Sequence, residues 1–141
     1  MTTHLRMGHI LLTRINPNAI HAPAGQYSHA VRVQSGTPLL YIAGQVGITP
    51  QGQLIADFEG QVRQAWENLL HVLISEGVGA ANLVHVNSYV VDGQDIDLFR
   101  EVRKHYLPSP PPSSTTLIVP RLVSPKWLFE IDAVATAAAP P

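Results

Sequence analysis

The stretch PSPPPSSTTLIVPRLVSPKWLFEIDAVA, residues 108–135, decides how the rest of the chain is read. Its proline-rich opening, Pro108 to Pro112, is too short for a linker and reads as a rigid turn. It feeds a β-branched run, Thr115 to Val119, with the composition of a strand. A turn around Ser124-Pro125-Lys126 leads into an alternating strand, Trp127 to Val134, and the two strands together predict a C-terminal hairpin. Alternation puts Leu128, Glu130 and Asp132 on one face and Trp127, Phe129, Ile131 and Ala133 on the other. Glu130 is thus a carboxylate in an otherwise apolar segment. It is either a solvated outer position, the commoner fate of a charged residue, or an acid poised in a cleft. The opposite wall of that cleft decides which.

Upstream of this stretch, HILLTR (9–14) reads as a first strand and AVRV (30–33) as a second, separated by the loop around Ala22-Pro23-Ala24-Gly25. LLYIAG (39–44) is the best buried-strand candidate of the first half. It runs into Gln45-Val46-Gly47, where two glycines suggest a sharp turn or a close backbone approach. Asp57 can cap a helix reaching about Glu76, with Val62, Ala65, Trp66, Leu69, Val72 and Leu73 as its apolar stripe and Gly77 and Gly79 at its end. NLVHVNSYVVD (82–92) is a strand with Val84, Val86, Ser88 and Val90 on one face. Asp95 to Leu107 is a shorter helix with Ile96, Phe99, Val102 and Tyr106 on one side. This order predicts an α+β domain with both helices on one sheet face, spanning 1–141, with its core at about 9–135, a loose start over Met1 to Arg6 and a tail at 136–141.

The chain has 141 residues, enough for one domain with a sizeable core. Charged residues are only 13% of it, against a usual value of about 25%. So little charge leaves apolar surface to be covered, and the second sheet face has no third layer; both point to a homo-oligomer. A net charge of -1 favours no broad nucleic-acid binding. The absence of cysteine removes disulfides and thiolate chemistry and suits a cytoplasmic protein. We expect no signal peptide and no membrane span.

Seven histidines, at 4, 9, 21, 29, 71, 85 and 105, lack the i, i+4 spacing of a zinc helix, so no metal is expected. Ser28-His29 does not make a hydrolytic dyad, because neighbours on a strand point to opposite faces and no G-x-S-x-G elbow is present. The glycines of GQVG do not form a phosphate loop.

Four segments taken together resemble the RidA/YjgF family of imine/enamine deaminases. APAGQYSHAV (22–31) is similar to that family's A-x-G-P-Y-S-Q-A-V segment, and LLYIAGQVGITPQGQLI (39–55) to its hydrophobic-SGQ segment and turn. Residues 57–92 resemble its Q-x-x-Q-A-L-x-N-L helix, Gly turn and strand, and PPPSSTTLIVPRLVSPKWLFEIDAVA (110–135) its P-P-A-R-S-T-V through E-I-E-A run. The resemblance implies a chorismate-mutase-like fold and a homotrimer, with the three sheets forming a central barrel and a small-molecule cleft at each subunit interface. No cofactor is implied.

The resemblance also implies a site. Glu130 holds the place of the family's glutamate, Tyr27 that of its loop tyrosine, and Arg100 that of a polar residue, often asparagine, in the second helix. Members that deaminate imines pair the substrate carboxylate with an arginine whose place here is Ser114. Losing such a charge-assisted contact costs about 1.5–3 kcal/mol. The expected site is therefore Glu130 as acid/base and the Ile42, Ala43, Gly44 and Gln45 backbone as hydrogen-bonding groups, with Ser114, Thr115 and Tyr27 completing a more neutral rim and Ser28 and Arg100 as further substrate-binding residues. A neutral rim favours a bulkier or uncharged ligand. The leading function is hydrolysis of an imine, enamine or related carbonyl-adjacent compound, departing from the usual 2-aminoacrylate deaminase. The alternative is a non-catalytic trimer that binds a small metabolite; RNA cleavage ranks behind both.

Overall fold

The computed structural model describes residues 11–137. The expected loose start at Met1 to Arg6, His4, the His9 end of the first strand and the tail beyond 137 lie outside them. Nine elements follow in order. They are β1 (Leu12–Ile15), β2 (Ala30–Val33), β3 (Leu39–Val46), helix α1 (Phe58–Ser75), a short 3-10 turn at Ala80–Asn82, β4 (Leu83–Val91), helix α2 (Ile96–Tyr106), β5 (Ser113–Val119) and β6 (Phe129–Thr136). β1 and β2 pair only with each other, as an antiparallel ribbon. The other four strands form one mixed sheet in the order β3-β6-β4-β5, and both helices pack on one of its faces. This is the α+β arrangement that the residue pattern predicts.

The predicted C-terminal hairpin is not there. β5 and β6 do not touch, because β4 lies between them, parallel to β5 and antiparallel to β6. The reason is the α2 crossover, which returns the chain beside β4 in the same direction and so occupies that edge. β6 then pairs with β4 on one side and β3 on the other, and Phe129 and Ile131 are fully buried there. Alternation reveals which way a side chain points, but not which strand lies alongside.

The helices start where their caps dictate. Asp57 accepts from the Gly60 amide and Asp95 from the Leu98 amide, each meeting one of the donors a first turn leaves open. Gly77 takes the left-handed conformation just beyond α1. The α1 stripe of Val62, Ala65, Trp66, Leu69 and Leu73 is completely buried against β3, β6 and α2. Trp66 stacks on Tyr106 of α2 with ring centres 5.5 Å apart, and Phe99 meets Phe129 at 5.5 Å.

One buried polar residue breaks that stripe. The Gln61 amide donates to the carbonyls of Ile55 (2.9 Å) and Lys126 (3.1 Å) and accepts from the Leu128 amide (2.8 Å). Gly47 lies against it so closely that a Cβ there would overlap the Gln61 backbone. Two turns further on, Asn68 donates to the carbonyls of Val46 and Ile48. α1 therefore holds the end of β3 and the entry to β6 in a fixed relation, two residues before Glu130. Gln61→Leu leaves three backbone groups without partners, at about 1–3 kcal/mol for each that water cannot reach. We expect it to lower the unfolding free energy by about 3 kcal/mol in urea titration; a change below about 1 kcal/mol would show that the three contacts are dispensable.

Candidate functional site

The mixed sheet has two unlike faces. On the helix side, a cavity of about 480 Å³ opens between α2, the loop 24–27 and β5. Its walls carry Tyr27, the hydroxyls of Ser114 and Thr116, and three cations from one face of α2: Arg100, Arg103 and Lys104. The in-register pairing of Ser114 with Val86 and of Thr116 with Ser88 turns both hydroxyl residues to this side, since Val86 and Ser88 are buried under the helices.

Arg103 is the best-held of the cations. Its guanidinium donates to the Gln26 carbonyl (2.6 Å) and to Thr116 Oγ1 (3.4 Å), and it lies 5.8 Å from the centre of the Phe99 ring. Burial, with the Arg100 charge added to it, pushes the Arg103 pKa down from the usual arginine value. No carboxylate pairs with it among the described residues. Arg100 and Lys104 pair with Asp97 (3.4 Å) and Glu101 (2.9 Å) on their own helix, in exposed contacts worth little.

On the open face of the sheet stands Glu130. It lies beside Gly44, where a Cβ would run into its carboxylate. The glycines of the GQVG segment thus serve close packing, as their spacing suggests. Between Ile42 and Gln45 the pairing of β3 with β6 shifts register, which takes Ala43 and Gly44 out of the regular ladder next to Glu130. Burial first, and the neighbouring Asp132 charge second, raise the Glu130 pKa above the ordinary glutamate value. Asp132 accepts from the Asn87 amide (2.9 Å), Asn87 Oδ1 meets His85 Nε2 (2.9 Å), and His85 Nδ1 meets Ser113 Oγ (2.7 Å). Hydrogen bonding to Asp132 raises the Tyr89 pKa on the same face. A connected polar chain thus crosses three strands beside Glu130.

The residues expected at the site divide accordingly. Tyr27, Arg100 and Ser114 line the cavity, while Gly44 lies against Glu130 on the other side, with Ala43 and Gln45 at the register shift of β3. Ile42 belongs to the core. Ser28 is buried, its hydroxyl donating to the Pro111 carbonyl (2.6 Å) and its amide to Pro112 (2.9 Å), so it ties the loop to the proline turn instead of lining the cavity. Thr115 points to the open face, and Thr116 takes its expected place. The neutral rim is a further correction: the cavity that holds Ser114 is cationic. Arg103 was missed because helical periodicity alone places it beside the apolar stripe, and its partners lie 13 and 77 residues away. Arg121, the other nearby arginine in sequence, bonds back to the carbonyls of Leu122 and Val123.

The sequence model of the family described as Endoribonuclease L-PSP matches residues 17–137. A RutC family protein of Aquifex aeolicus is 38% identical over 85 residues, 60% of this chain and 63% of that protein, so the match spans under two thirds of that relative's length. A 2-iminobutanoate/2-iminopropanoate deaminase of Dermatophagoides farinae is 28% identical over 102 residues, 71% of this chain and 77% of that one. Among solved structures, a Rid family protein of unknown function from Yersinia pestis superposes with a TM-score of 0.79 at 31% identity, covering 89% of this chain and 98% of that one.

The raised Glu130 pKa has a removable part. Asp132→Asn deletes the neighbouring like charge, so the Glu130 pKa is expected to move down toward the ordinary value. Carboxyl ¹³C NMR titration of the two proteins reads this directly; an unmoved or higher value would assign the whole effect to burial.

Proposed function

The chain belongs to the Endoribonuclease L-PSP family, the RidA/YjgF group, and on that premise we propose that it hydrolyses the C=N bond of a small imine, or of its enamine tautomer. The observation that carries this reading is Glu130, a carboxylate of raised proton affinity held against the irregular backbone at Ala43–Gly44. In the reaction, water adds to the imine carbon. Glu130 takes a proton from that water and returns it to nitrogen; it then moves the hydroxyl proton of the carbinolamine to the same nitrogen, and the C–N bond breaks to leave a carbonyl compound and ammonia. Water and imine supply every atom, so the chemistry calls for no cofactor.

Glu130 and the cavity lie on opposite faces of one sheet, so a single copy does not bring them together. The cleft in this proposal is formed between copies in a homotrimer, the cavity of one facing Glu130 of a second. Support comes from the open face itself, where Tyr41 is 77% exposed and Leu39 and Leu117 also reach solvent. Apolar residues of this size on one face mark a surface that association covers.

A second reading, a trimer that binds a metabolite without converting it, is favoured by Ser114 standing where deaminating members carry an arginine. Glu130→Gln separates the two. Under the hydrolytic reading it lowers turnover of imines generated in situ by about 10²–10⁴-fold, with sedimentation unchanged. Because Glu130 must be ionised to accept a proton, kcat/KM of the unsubstituted protein is expected to fall as pH drops through a value above the ordinary glutamate pKa of about 4.3. Saturable ligand binding with no conversion at any pH would establish the binding reading instead.

A further inference from the structure

The cavity between α2 and β5 holds more positive charge than a small monocarboxylate requires. Arg103 is part-buried, oriented by Gln26 and Thr116, and has no carboxylate partner among the described residues. Two of its five N–H groups are engaged, which leaves donors for a planar oxyanion. Arg100, three residues earlier on the same face, is held only by an exposed contact to Asp97. Two guanidiniums one helical turn apart repel each other unless an anion sits between or before them. The cavity, about 480 Å³, lies within the roughly 300–1,000 Å³ range of pockets for ligands well above three carbons in size.

We propose that this cavity selects imino acids carrying a second anionic group, with Arg103 holding the α-carboxylate and Arg100 the second anion. Arg103 thereby performs from α2 the task that Ser114 cannot perform from β5. The substrate class is the imines of acidic amino acids, and the products are dicarboxylic 2-oxo acids and ammonia. This inference rests on the imine-hydrolysis reading for its chemistry, but its recognition step stands on α2 alone.

The test uses stable 2-oxo acids as probes, which bind without reacting. Calorimetry compares 2-oxoglutarate with 2-oxobutanoate on the unsubstituted protein, Arg103→Gln, Arg103→Lys, Arg100→Gln and Glu130→Gln. Preference for 2-oxoglutarate by about tenfold or more is expected, as for an added charge-assisted contact. Arg103→Gln should weaken both ligands, with partial recovery in Arg103→Lys. Arg100→Gln, an exposed change that does not threaten folding, should remove the preference while sparing 2-oxobutanoate. Equal affinity for the two acids, or a preference that survives Arg100→Gln, overturns the inference. The two proposals fail separately. If Glu130→Gln binds 2-oxoglutarate normally but no imine is turned over by the unsubstituted protein, the anion site stands and the hydrolytic reading falls. If imines are hydrolysed with no preference for acidic ones, hydrolysis stands and the anion site falls.

Discussion

A single buried amide organises this structure. Gln61 sits in the apolar face of α1 and satisfies three backbone groups from two separate segments, residue 55 just before the helix and residues 126–128 before β6. A polar group at such a position is costly unless every partner is in place, so it permits one arrangement of these segments and penalises the rest. Gly47 completes the constraint, since any side chain there would meet the Gln61 backbone. The consequence reaches the site directly. β3 and β6 are clamped to α1 at the level where Gly44 and Glu130 meet, so the carboxylate is placed by the core and not by a mobile loop.

From that clamp follows a division of charge between the two faces of the sheet. The helix side ends in a cation-lined cavity at the β5 edge, and the open side carries Glu130, Asp132 and the chain through Asn87 and His85. Strand alternation enforces the separation, because Ser114 and Glu130 project from opposite sides of one sheet. In the proposed reaction the cationic wall and Glu130 meet only if a second copy of the chain supplies one of them. The same open face that carries the carboxylate also carries exposed Tyr41 and Leu39.

Much of this was legible in the residues. Asp57 and Asp95 mark both helix starts to the residue, the α1 stripe names the core, and alternation assigns Glu130 and Asp132 to the open face. The close approach at Gly44 and Gly47 was readable from two glycines at a strand end. Other features were not. Ser28 looks like a rim hydroxyl because nothing local reveals the Pro111 carbonyl 83 residues away. Thr115 does not share the cavity with Ser114 because adjacent strand residues point to opposite faces, so the next residue on that side is Thr116. Arg103 looks like one more solvated cation of a helix with a basic last turn.

By itself, then, the sequence determined the α+β class, the starts of both helices and the family, because periodicity, caps and turn residues act between near neighbours along the chain. Only the tertiary structure decided that β6 lies between β3 and β4, that Ser114 faces away from Glu130, and that Arg103 enters the cavity beside Ser114. Each of these depends on register and contact between segments far apart in sequence. The energies that select them come from partners such as Gln26 and Arg103, or Gln61 and Leu128, which no local pattern connects.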